Sequence, residues 1–90
     1  MDRIQQLIEE NKLDDALKML DRFYEMNSEN LPAEFYLLKA RISGKQHKWG
    51  EVINHYHEVL EIDPGNSEAK SGIQMARGIL GFFNPDMFNP

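Results

Sequence analysis

The sequence predicts an all-α protein built from repeated antiparallel helix pairs, and three observations carry that prediction. In residues 13–26, LDDALKMLDRFYEM, apolar residues fall at Leu13, Ala16, Leu17, Leu20, Phe23 and Tyr24. That spacing marks one face of an α-helix. In residues 49–62, WGEVINHYHEVLEI, they fall at Trp49, Val52, Ile53, Tyr56, Val59 and Leu60, the same pattern displaced by 36 residues at every position. Coincidence at each apolar position of two segments marks an internal repeat. Finally, the segments between the periodic stretches are short, so successive helices must fold back on one another.

The elements follow in order. Residues 2–11 make a first helix with Ile4, Leu7 and Ile8 on one face. Asn11 ends it, and His47 occupies the equivalent place in the next unit; both types tolerate a left-handed backbone better than most residues. Residues 13–26 are the second helix. The third, residues 32–43, opens on Pro32, whose missing N–H would be unpaired in a first turn anyway. Phe35, Leu38 and Ile42 form one stripe on it, and Tyr36, Ala40 and Ser43 a second beside the first. A helix with two adjoining covered faces sits between two neighbours. Residues 49–62 are the fourth helix, stopped by the turn chemistry of Asp63-Pro64-Gly65-Asn66. Asn66 or Ser67 can cap a fifth, residues 67–80, with Ala69, Ile73, Ala76 and Leu80 on one face.

This organisation is one domain, residues 1–81, with units at about 1–30 and 31–66 and a capping helix at 67–80. An aromatic tail, residues 82–90, closes the sequence. By the repeat register Gly81 takes the turn position of Asn11 and His47, and Phe83 the position of Leu13 and Trp49. Asn84 and Pro85 suit a helix start. The tail is therefore expected to be an abbreviated second helix whose Phe82, Phe83, Met87 and Phe88 dock on helix 67–80, or else to insert into a second copy.

Composition excludes several functions. Fifteen acidic residues against ten basic ones leave a formal charge of −5, which disfavours nucleic acid, whose phosphates demand clustered Lys and Arg. No apolar run is long enough to span a bilayer. There is no cysteine, and residues 1–20 lack the apolar core of a signal peptide; these point to a cytoplasmic setting. His55 and His57 lie about 200° apart around a helix and cannot share one ion, so no metal is expected. No phosphate-binding loop, nucleophile elbow or metal motif occurs. No nucleophile and base converge, so no enzyme and no cofactor are expected.

Residues 33–66 also resemble a tetratricopeptide repeat, a helix pair of about 34 residues with a W-x₂-L-G-x₂-Y … A-x₃-F … P pattern. Tyr36 stands for the first aromatic, Ala40 for the small residue at the helix crossing, Tyr56 for the second-helix aromatic and Pro64 for the closing proline. Ala16 and Leu20 match second-helix positions of the preceding unit. Lys39, Ser43 and Val52 depart from the pattern; Lys39 falls between the two apolar stripes, where its stem packs and its amine reaches water. The resemblance implies a right-handed superhelix of two helix hairpins plus a capping helix. It also implies a concave face, lined by the first helix of each unit, that binds extended peptides or helices.

On that face the resemblance places Gln5, Ile8 and Glu9 from the first helix and Glu34, Leu37, Arg41 and Lys45 from the third. Ile8 and Leu37 are expected to be apolar residues left open to solvent, and Arg41 with Lys45 to hold a ligand carboxylate. The positions that clamp acidic chaperone tails in some members are occupied here by Met1, Gln5, Leu38, Glu68 and Gly72, none of which fits that role. The expected function is a non-catalytic protein- or peptide-binding scaffold. The alternative is a structural cap and self-association element, the C-terminal part of a larger protein.

Overall fold

A computed structural model describes the backbone of residues 1–83 and the side chains of residues 1–81. Five helices and no strand occur among the described residues: α1 (Asp2–Glu9), α2 (Leu13–Asn27), α3 (Ala33–Lys45), α4 (Trp49–Ile62) and α5 (Ser67–Phe83). Each helix packs on the next, and α3 also reaches back to α1. The connections are too short for packed neighbours to run parallel, so the helices alternate in direction.

The turns explain how two helices can follow one another so closely. Asn11 and His47 have φ of 61° and 58°, the left-handed conformation expected of both. At the first turn the Lys12 N–H donates to the Leu7 carbonyl at 2.8 Å and the Asn11 N–H to that of Ile8 at 3.0 Å. At the second, Lys48 donates to Ser43 at 2.9 Å and His47 to Gly44 at 3.1 Å. These are the paired bonds of a Schellman ending, which satisfies carbonyls a helix end would otherwise orphan. The hydrogen bonds repeat with the same displacement as the side chains. Before α5, the Asn66 side-chain oxygen accepts the Ala69 N–H at 2.9 Å, a cap on the third helical residue.

Two cores lie along the stack. The first gathers Ile4, Leu7, Ile8, Ala16, Leu20, Phe35, Leu38 and Ile42 from α1, α2 and α3. The second gathers Ala40, Val52, Tyr56, Val59, Ala69, Ile73 and Ala76 from α3, α4 and α5. The two stripes on α3 serve one core each, and Tyr36 packs against both. Lys39 lies half-buried between them with its Nζ 5.5 Å from the centre of the Phe35 ring, a cation over an aromatic face.

Three boundaries differ from the sequence reading. Helix α1 stops at Glu9, so its Schellman ending uses residues that periodicity assigned to the helix. Helix α3 starts after Pro32, which caps it with extended φ and ψ, and runs on through Gly44 to Lys45. Helix α5 continues through Gly81 to Phe83, and no glycine among the described residues has positive φ. Gly81 therefore does not form the turn its register position suggests; it is one more residue of α5. No helix among the described residues is long and apolar enough to cross a membrane.

Candidate functional site

The odd-numbered helices lie side by side, and a cleft of about 500 Å³ opens along them. Its floor is apolar: Ile8 from α1, Ala40 from α3, and Val52 and Tyr56 from α4. The rim is mixed. Gln5 and Glu9 stand on the α1 side, Arg41 and Lys45 on α3, and Met75 on α5. His47 and Trp49 close the end at the α3–α4 turn, their rings stacked 5.6 Å apart at 14°.

One polar network at this rim ties four helices together, α1, α3, α4 and α5. The Arg41 guanidinium donates from Nε to Glu68 Oε2 at 2.8 Å and from Nη2 to Glu68 Oε1 at 2.6 Å. Its Nη1 donates to Gln5 Oε1 at 2.8 Å. The Tyr56 hydroxyl donates to Glu68 Oε2 at 3.1 Å. The two-pronged Arg–carboxylate pairing is the strongest geometry available to such a pair. Both side chains remain about one-third exposed, so solvent screens much of the attraction and the network positions helices more than it stabilises them.

The network sets the local proton affinities. Its hydrogen bond to Arg41 is the largest influence holding the Glu68 carboxyl below its ordinary value. The same bond pushes the Arg41 guanidinium up. Burial first, then the Glu68 charge, pushes the Tyr56 phenol up to about 12. A lowered carboxylate contributes stability above its unfolded value of 4.5 and loses it as pH falls through the folded value. A raised phenol contributes stability below 10 and loses it as pH climbs towards about 12. Denaturant melts are therefore expected to separate parent and Glu68→Gln near neutral pH and to converge in acid. A gap that stays constant into acid would remove Glu68 as a titrating contributor.

Several sequence expectations are corrected by this geometry. Ile8 is not open to solvent; it is 2% exposed and belongs to the first core. Leu37 is half-buried against the second core and does not line the cleft. Glu34 is exposed and likewise stands off the cleft. Arg41 is not a free anchor for a ligand carboxylate, because Glu68 and Gln5 already occupy its fork. Gln5 and Lys45 do line the cleft, and Lys45 is exposed. Phe82 and Phe83 continue the backbone of α5, while Met87 and Phe88 lie outside the described residues.

Sequence reasoning missed Trp49, Tyr56, Glu68, Gly72 and Met75 as members of one site. Gly72 carried the clearest signal, because a glycine inside a helix weakens it unless something approaches closely. Here the Tyr56 ring lies where a side chain would be: a Cβ at Gly72 would fall 2.1 Å from it. Met75, 55% exposed on the same helix, gave no signal beyond its type. The histidines do not gather. His55 Nδ1 lies 2.9 Å from Glu58 Oε1, and among the described residues no three potential metal ligands converge.

The fold and cleft together define a small all-α module of stacked, alternating helices with an apolar-floored groove. No protein-family model and no curated protein matches the sequence. Among solved structures the chain is similar to Bacteroides fragilis protein BF1650, determined by solution NMR. The two share 30% identity over 98% of this chain and 87% of that one, with a TM-score of 0.80. The chain belongs to the same family as that protein.

Proposed function

We propose that this protein is a non-catalytic interaction module that holds a peptide segment of another protein in the cleft along α1, α3 and α5. The observation that carries this reading is the cleft itself: about 500 Å³, apolar at its floor and polar at its rim, the usual build of a recognition site. The tetratricopeptide-like reading of the repeat, a right-handed superhelix with a concave binding face, supports the same assignment. The ligand is a segment with an apolar side chain for the space between Trp49 and Met75 and a carboxylate for Lys45. Arg41 orders the cleft wall without touching the ligand.

Selection of peptides from a random library on the intact protein tests this. Selected sequences are expected to combine an acidic residue with a large apolar one. Met75→Glu and Lys45→Glu are each expected to weaken the selected peptide by about tenfold or more, the effect of losing roughly 1.4 kcal/mol. Both positions are at the surface, so folding is expected to change by less than about 0.5 kcal/mol. Peptides that bind both variants like the parent put the ligand surface elsewhere.

Self-association is a second reading, favoured by the opposite end of the stack. There Met1, Ile4, Met19, Phe23 and Met26 line an apolar hollow of about 290 Å³ between Arg3 and Arg22, and Met26 is 82% exposed. Sedimentation over a concentration series tests it; a monomer throughout argues against it.

A further inference from the structure

Two pairs of cleft residues stand at equivalent places in the repeat. Gln5 and Arg41 are 36 positions apart, and Glu9 and Lys45 share that displacement. The first pair is joined: Arg41 Nη1 donates to Gln5 Oε1 at 2.8 Å. Equivalent positions of α1 and α3 therefore face one another at the cleft. One turn further on, Glu9 and Lys45 are each the last residue of their helix, and both line the cleft. The repeat thus sets an acid beside a base, on helices whose axes lie about 8–10 Å apart when packed.

These two charges are left unpaired. Four ion pairs occur among the described residues, and neither Glu9 nor Lys45 belongs to any of them. The adjacent Glu10 is paired with Lys12 at 3.2 Å, and Arg41 with Glu68 at 2.6 Å. Glu9 has the Gln5 amide, whose Nε2 donates to Glu9 Oε1 at 3.3 Å. Arg41 fixes the sense of that amide: its oxygen accepts from the guanidinium, so its nitrogen is turned towards Glu9. The last turn of α1 holds no basic residue. Glu9 therefore adds negative charge to the negative end of a helix dipole, an arrangement that opposes folding. Lys45, at the end of α3, has the favourable sign for its place. A cation on the ligand accounts for a carboxylate that costs its own helix, is aimed by a relay from Arg41 and opens on the cleft.

We propose that Glu9 forms a second charged subsite of the cleft, one that takes a lysine or arginine side chain of the ligand. The ligand then carries a basic, an acidic and a large apolar residue in that order along its chain. This rests on the peptide-binding reading above and sharpens it. The basic group meets Glu9 on α1, the acidic group Lys45 on α3, and the apolar group the space between Trp49 and Met75. An extended peptide advances about 3.3 Å per residue, so a separation of about 8–10 Å puts the two charges about two or three residues apart. Rim charges of this kind select among ligands and speed their capture more than they tighten the complex.

Peptides selected from a random library on the intact protein are expected to carry the basic residue at that spacing. Exchanging it for Glu is expected to weaken binding to the parent about fivefold, the upper end for an exposed pair. On Glu9→Lys the preference is expected to invert, with the Glu peptide binding better than the original. A peptide with its acid and base interchanged is expected to bind the double variant Glu9→Lys, Lys45→Glu as the original binds the parent. Without ligand, Glu9→Lys is expected to melt at or above the parent's midpoint, because it removes a charge that opposes the dipole. A lower midpoint makes Glu9 a structural residue and overturns the proposal. Selected peptides that lack a basic residue overturn it too, as does a preference that Glu9→Lys fails to invert. In those two cases the peptide-binding cleft stands, with Lys45 as its charged contact. If no peptide is selected at all, the peptide-binding function fails and the subsite with it.

Discussion

Gly72→Ala is expected to destabilise this protein by about 1–2 kcal/mol, although alanine is the better helix former. Two effects oppose each other at this site. Replacing a mid-helix glycine with alanine favours the helix by roughly 1 kcal/mol. Against this, the new Cβ would lie 2.1 Å from one carbon of the Tyr56 ring and 2.5 Å from the next. The ring cannot swing aside cheaply. Tyr56 is 7% exposed, packed in the second core, and its hydroxyl is held by Glu68. Relief requires α5 to move off α4, and overpacking of that kind costs about 1–3 kcal/mol, occasionally more. The contact is closer than ordinary overpacking, so the steric effect is expected to win. A denaturant melt measures the outcome, and a Gly72→Ala midpoint at or above the parent's would refute the close packing. The cause can be isolated: Tyr56→Leu is expected to recover part of the loss in the Gly72→Ala background, whereas Tyr56→Phe, which keeps the ring, is not.

Phe35→Ala is expected to cost about 3–5 kcal/mol, the range for emptying a buried aromatic site. Phe35 is the largest of the fully buried side chains. Three rings converge on it: Phe23 at 5.9 Å, Tyr24 at 6.2 Å and Tyr36 at 5.2 Å between centres. Lys39 covers it from a fourth side. Removing the ring empties the joint between α2 and α3 and strands the Lys39 ammonium, whose stem would lose its apolar support. For a domain of this size each kcal/mol moves the thermal midpoint by about 4–8 °C, so a fall of at least about 12 °C is expected. A smaller change would mean that the neighbouring rings collapse into the space.

These two sites show how differently the sequence speaks about core and contact. The Phe35 prediction needs only the apolar stripe Phe35, Leu38, Ile42, which is visible in the sequence and burial confirms. The Gly72 prediction needs to know which ring lies over α5, and no local pattern contains that. The binding cleft divides in the same way. Gln5 on α1 and Lys45 on α3 were legible, because the repeat resemblance assigns both to one face. The burial of Ile8 and Leu37 was not, because a helix face predicts direction but not how far a neighbour extends over it. Arg41 was misread for a stronger reason. Its partner Glu68 lies 27 positions away, and a free cation and a paired one look alike in sequence.

What the sequence determined by itself was the number and order of the helices, their apolar faces and the left-handed turns at Asn11 and His47. All of these depend on interactions within a few residues: side-chain periodicity, capping and the tolerance of single residues for positive φ. The tertiary structure alone decided which polar groups are satisfied and which glycine admits a ring. It also decided that the three odd-numbered helices enclose a groove. Those outcomes depend on the distances between helices. Side chains far apart in the chain fix those distances together, each free to pair only once the others have packed.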